Sequence, residues 1–183
     1  MATIENAFMI GSIPDAIIAA LAAKSDLAEV QLFIDGITPT PVPQDRTPYA
    51  EVVVGEEIPV DSATGGLTHQ SYTGLIIYTT QQTKTAQADW LDAVEGDVRR
   101  ARVGSFDLIK RLLMITQAEL QRAIYNDLDG LISTITLAGK TVREVVTAFR
   151  LQGAITYGLD DRTNNYKNVG SIGFVVETER TVE

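Results

Sequence analysis

Two kinds of period run along this chain and divide it into elements. Residues 1–11 carry no sustained period and read as an arm. Ile17, Ile18, Leu21 and Ala22 then form an apolar stripe at helical spacing. Ser12 is expected to cap this helix, with Asp15 completing a short capping box, and Pro14 is tolerated in its first turn. The helix is expected to end near Lys24-Ser25. Val30 to Ile34 is a short strand candidate. The alternating prolines of Thr38 to Pro43 forbid a hydrogen-bonded ladder and favour an extended loop.

Period two marks Tyr49 to Val54 and Gln70 to Thr80 as strands. They are expected to pair antiparallel across a long acidic loop holding Glu56, Glu57 and Asp61, with a turn at Gly65-Gly66. The helical period returns at Trp90, Leu91, Val94 and Val98, predicting a helix from about Ala86 to Arg102. Its acids come early and Arg99, Arg100 and Arg102 late, which would complement the helix dipole. Gly104 is read as its end and Ser105 as the cap of a second helix through Leu108, Ile109, Leu112 and Leu113. Leu120, Ile124, Leu128 and Leu131 predict a third, from about Ala118 to Ser133. Arg143 to Thr156 suits a helix by the spacing of Val142, Val145, Val146 and Phe149. It suits a strand by its β-branching, and both readings stay open. Gly158 to Asn165 is a polar turn, and Val169 to Thr178 is a last strand.

This order predicts a single α+β domain over residues 1–183. A mainly antiparallel β-sheet is flanked by helices, with a helical insertion at 104–137. The length of 183 residues and a 45% hydrophobic fraction agree with one folded domain.

Charge changes the picture. The chain holds 24 acids against 15 bases, a net charge of −9. Residues 1–98 carry 14 acids and 3 bases, and residues 99–183 carry 10 acids and 12 bases. A general nucleic-acid binder needs a basic footprint, so that class is disfavoured. The uneven split suggests copies that meet acidic half to basic half, as in a heterologous ring contact. The basic cluster Arg99, Arg100, Arg102, Lys110 and Arg111 is the candidate subunit or partner interface. Glu56, Glu57 and Asp61 are the candidate acidic loop, or the lining of a lumen.

Candidate chemistry is sparse. The chain has no cysteine and one histidine, His69. This excludes disulfides, thiolate metal sites and thiol nucleophiles. No phosphate-cradling glycine loop and no Gly-x-Ser-x-Gly elbow is present. His69 with Asp61 or Ser71 could serve as a general base only if geometry brought them together. A solvated histidine is the favoured reading. The acidic pairs Glu56-Glu57, Asp127 with Asp129, and Asp160-Asp161 lack a calcium-loop spacing and read as turn and cap chemistry. No catalytic residue, metal or cofactor is expected. No secretory leader is read at the N-terminus, and Ala16 to Ala23 is too short to cross a bilayer. A soluble protein with no membrane partner is therefore expected.

The order of elements carries a resemblance. An N-terminal helix, Ile13 to Ala23, precedes the strand Pro48-Tyr49-Ala50-Glu51-Val52-Val53-Val54. A long strand ending Ile76-Ile77-Tyr78 follows, then the helix around Ala88-Asp89-Trp90-Leu91-Asp92. The polar segment Tyr157-Gly158-Leu159-Asp160-Asp161-Arg162 feeds the strand Ser171 to Glu177. This pattern resembles the tail-terminator (tail-completion, head–tail joining) proteins of long-tailed bacteriophages. The stretch from about Gly104 to Leu137 departs from it. The resemblance implies a virion protein of the tail or neck, assembled in the host cytoplasm. It would form a homo-oligomer, six copies in a ring, that caps the tail tube and stops its polymerisation. Its implied partners are the tail tube protein, the head-side connector or stopper protein, and genomic DNA that passes without specific binding. It implies no residue-level binding site. Two other readings stay open. One is another neck or tail ring protein, either a head-side stopper or a tube subunit. The other is a small hydrolase or binding domain using His69.

Overall fold

The computed structural model describes residues 3–5, 8–37, 42–43, 46–62, 67–83, 95–120, 128, 131–160 and 165–183. The backbone alone is described for 3–5, 56–57, 59–62, 81–83, 95–106, 153–154, 159–160 and 165–166. In chain order the elements are β1 (Thr3–Glu5), α1 (Met9–Ala22), β2 (Leu32–Asp35), β3 (Tyr49–Ser62), β4 (Leu67–Thr83), α2 (Glu95–Glu119), β5 (Ile132–Leu137), β6 (Lys140–Asp160) and β7 (Asn165–Val182). A short 3-10 turn, Ser25–Leu27, follows α1.

The strands form one seven-stranded sheet in the order β1-β5-β6-β7-β4-β3-β2. The β5-β6, β6-β7, β7-β4 and β4-β3 pairs are antiparallel, and the short outer strands β1 and β2 pair parallel to β5 and β3. The α+β class and the antiparallel pairing of the two central predicted strands are as expected.

One face of the sheet carries the apolar alternation. Ile172, Phe174 and Val176 of β7, Tyr72, Ile76 and Tyr78 of β4, and Ala50 and Val52 of β3 are all buried. They pack in one cluster with Ile13, Ile17 and Leu21 of α1 and Ile109, Leu112 and Leu113 of α2. Fully burying a side chain such as Ile, Leu, Val or Phe stabilises the fold by about 1.5–3 kcal/mol each. Glycine sets two close approaches on this face. At Gly170 a Cβ would lie 2.5 Å from Ile109 Cγ2 and 2.6 Å from Leu113 Cδ1. At Gly74 it would lie 2.3 Å from Phe174 Cζ and 2.5 Å from the Val53 carbonyl oxygen. The first lets α2 sit down on β7, and the second makes room for the Phe174 ring, which stacks on Phe149 at 5.8 Å.

Several expectations need correction. The first helix starts at Met9, so Ser12 lies inside it and donates its hydroxyl to the Phe8 carbonyl at 3.1 Å instead of capping the N-terminus. Pro14 is therefore beyond the first turn of the helix, and the Ile10 carbonyl loses its intrahelical donor. The second helix does not end at Gly104. α2 continues unbroken to Glu119, so Arg99, Arg100 and Arg102 lie several turns before its C-terminal end and do not complement the dipole there. The stretch expected to be helical through Leu137 ends in a strand, because Ile132–Leu137 is β5, paired with β6. Of the segment 118–133, Leu128 and Leu131 are buried as expected, but Ile132 and Ser133 belong to the sheet. The ambiguous segment Arg143 to Thr156 is strand throughout, within β6. Thr3–Glu5 of the predicted arm joins the sheet. Trp90 and Leu91, Gly65-Gly66, the prolines Pro39 and Pro41, and Asp127 with Asp129 lie outside the described residues.

Candidate functional site

Two features of the sheet could carry function: a buried polar cluster on its helix-covered face and a shallow groove on the other. The cluster grows from the strand alternation itself. In β7 the inward parity of Ile172, Phe174 and Val176 continues to Thr178 and Arg180, while Glu144 of β6 is the register partner of Arg180. Tyr72 of β4 lies across β7. Tyr72 donates its hydroxyl to Glu144 Oε1 at 2.7 Å, and Thr178 Oγ1 donates to the same oxygen. Arg180 donates from Nε and Nη2 to Glu144 Oε2, at 3.3 and 3.1 Å, and from Nη2 to the Tyr72 oxygen at 2.9 Å. Glu144 is 4% exposed, so its carboxylate must be neutralised within the protein. The cluster does so with one guanidinium and two hydroxyls. Each carboxylate oxygen accepts two bonds, which is a structural arrangement and leaves no open coordination position for a reacting group. Sequence reading missed it because its members lie far apart along the chain. The usable signal was the polar side chains Thr178 and Arg180 at an apolar parity.

A second polar contact holds the helix. Tyr78 and Thr116 hydroxyls lie 2.6 Å apart and both are buried. Burial pushes the Tyr78 hydroxyl up to about 12, against the opposing pull of the Thr116 hydrogen bond. Burial also raises the Tyr49 hydroxyl, helped by the Glu51 charge and opposed by its bond to Thr79.

The opposite face is open. Leu75, Arg150, Gln152 and Glu179 are exposed there. A groove of about 560 Å³ crosses it, lined by Val53, Gly55, Thr73, Gly74, Leu75, Gln152, Gly173 and Phe174. The groove follows a line of glycines and irregular pairing: β3 shifts register between Val54 and Glu56, and β6 between Gln152 and Thr156. Between them, Gly173 brings a would-be Cβ to 2.5 Å from the Gln152 carbonyl oxygen, so only glycine allows β6 to pass so close.

The residues singled out by sequence are distributed differently from expectation. Glu56, Glu57 and Asp61 are not in a loop; they lie on β3, in its part paired with β4 toward the β3–β4 turn. Arg111 makes an ion pair with Glu29, and Lys24 one with Glu119 at 3.5 Å, so both basic groups stitch α2 to the segment after α1. Lys110 is exposed on α2. Arg99, Arg100 and Arg102 lie on the α2 backbone, two to three turns before Lys110. Pairing sets Asp61 opposite His69, with Ser71 two residues along β4. Asp160 ends β6, and Asp161 lies outside the described residues. Among the described residues no group of three or more His, Asp or Glu side chains could hold a metal ion, and no helix is long and apolar enough to cross a membrane.

No family model matches the chain, and no curated protein matches it. Among solved structures, it is similar to a chain from the virion of a native gene transfer agent particle. The two are 14% identical and superpose with a TM-score of 0.42, over 94% of this chain and 99% of the other.

Proposed function

We propose that this chain is a virion structural protein of a phage-like particle, a ring of copies that caps the end of the tail tube. In that role it stops tube polymerisation and offers the head-side connector a docking face, with six copies as the number that the terminator resemblance implies. The observation that supports the reading is the order of elements. The first helix, the Pro48-Tyr49 strand, the long strand through Tyr78 and the last strand through Ser171 to Glu177 come in the order of the terminator pattern, and their strands lie in one sheet. The charge agrees with the role. A ring of subunits at −9 each repels the DNA backbone, so DNA slides through its hole instead of adhering.

Deleting the gene from the phage that encodes it tests the reading. The expected result is particles with tails of uncontrolled length and heads left unjoined. Normal tails joined to heads would overturn it. Long tubes formed by the purified protein alone would assign it to the tube instead, and finding it only on tailless heads would make it a stopper.

A further inference from the structure

We infer that the buried Glu144 cluster is a register lock: it holds the β5–β6 hairpin on β7 in a bulged pairing, against a second pairing one residue away. The inference is independent of the ring reading. It starts from the way β6 lies on β7. From Val142 to Val146 the two strands keep one register, with Val145 opposite Glu179 and Val146 opposite Thr178. From Ala148 the register differs by one residue, with Ala148 opposite Glu177 and Phe149 opposite Val176. Thr147 is the extra residue between the two stretches. It is exposed, and its hydroxyl donates to the Glu177 carbonyl at 3.2 Å. Removing the bulge would carry the second register through the first stretch. Val146 would then lie opposite Glu179, Val145 opposite Arg180 and Glu144 opposite Thr181.

The side-chain period of a strand is two, so this slip turns each residue of the hairpin to the other face. The hairpin moves as a unit. Its two-residue turn has positive φ at Ala138 (51°) and Gly139 (78°), which fixes Leu137 opposite Lys140. Apolar burial separates the two pairings poorly, because the hairpin is apolar on both faces. Ile135, Val142 and Val146 share the helix-covered face, and the Ile132–Val145 pair lies on the other. In the row of Arg180 the observed pairing is the more polar choice. It sets Ser133 and Glu144 inward, both buried, where the slipped pairing would set Ile132 and Val145.

The ions decide where apolar area does not. In the observed pairing Glu144 accepts from Tyr72, Thr178 and Arg180. In the slipped pairing Glu144 turns to the open face and Arg143 turns inward, so two guanidinium groups share one face and the carboxylate is gone from it. A largely buried charge without its counter-ion is among the costliest defects a fold can carry. Replacing a whole buried ionic group by apolar residues of similar size is often neutral for stability, so what such a group contributes is the choice between alternatives.

The chain has no cysteine, so disulfide reporters can separate the pairings. Val145→Cys with Glu179→Cys places two thiols directly opposite in the observed register, where Cα atoms are about 5.5 Å apart. Val146→Cys with Glu179→Cys brings them opposite only after the slip, since in the observed register they point to opposite faces. Each pair is oxidised in the full-length chain and in the same chain with an apolar cluster: Tyr72→Phe, Glu144→Met, Thr178→Val and Arg180→Met. With the native cluster the first pair bonds and the second stays reduced. With the apolar cluster the chain still folds, and the bonded fraction of the second pair rises about tenfold or more, the bias carried by one hydrogen bond to a charged group. An apolar variant that folds and bonds only the first pair overturns the lock. One that fails to fold also overturns it, by making the cluster a stabiliser and not a selector. Bonding of the second pair with the native cluster intact overturns it too, because the register would then be unfixed.

Discussion

Tyr72 and Tyr78 sit six residues apart on the same strand, face the same way and are both buried, yet their hydroxyls are satisfied by opposite means. Tyr78 meets one neutral hydroxyl, Thr116, brought down by α2. Tyr72 meets a carboxylate and a guanidinium contributed by β6 and β7. The difference divides the molecule. The half near β2 is held by helix-on-sheet packing, with Gly170 letting Ile109 and Leu113 approach. The half near β5 is held across strands by ionic hydrogen bonds. An apolar half tolerates loss of one weak bond, whereas an ionic half fails when one charge is left alone.

The largest expected effect tests that asymmetry. Glu144→Ala leaves Arg180 and two hydroxyls without their acceptor, and denaturant unfolding should show a loss of about 3–5 kcal/mol. A loss under 1 kcal/mol would mean that water replaces the carboxylate and the ionic half is not distinct. Alkaline pH should act on the other half. The Tyr78 proton is held to about 12 in the folded state against 10.0 in an ordinary tyrosine. Its contribution is therefore whole below pH 10 and is lost between pH 10 and 12, up to about 3 kcal/mol. Tyr78→Phe should flatten the fall in stability over that window, and an unchanged slope would assign it to other groups. The two glycines come next. Gly74→Ala and Gly170→Ala should each cost about 1–3 kcal/mol by overpacking, and only Gly170→Ala should loosen α2 in hydrogen exchange. Thr116→Val keeps the shape and removes the partner of Tyr78, for about 1 kcal/mol by thermal melting. The smallest effect is at the surface. Glu29→Gln breaks the Arg111 pair, which is exposed on both sides, and should change stability by less than about 1 kcal/mol.

The same division explains what could be read from sequence. The long strands were legible because alternation such as Ile172, Phe174, Val176 is a local signal. Of the parallel outer strands, β2 was read as Val30 to Ile34, whereas β1 was not read as a strand. Thr3–Glu5 is too short to show a period, and it becomes strand only because β5 lies beside it. Ile132–Leu137 was hidden by Leu128 and Leu131, whose spacing imitates a helix, although Ile132, Thr134 and Ile135 are β-branched. Gly104 was read as a stop because glycine costs a helix about 1 kcal/mol. The burial of Ile109, Leu112 and Leu113 outweighs that cost. The polar cluster was invisible because its spacing exists only across strands. The acidic candidates were placed in a loop because Gly55 was read as the end of the strand. In the fold, Gly55 falls at the register shift between Val54 and Glu56 and Pro59 at the next, and the strand continues past both.

The most direct test of the proposed ring is to image phage-like particles purified from cells that express this chain and to count its copies along the tail. The account predicts one ring of six copies, at the head-proximal end of the tube and nowhere else. Copies repeated along the whole tube, or none in the particle, would contradict it.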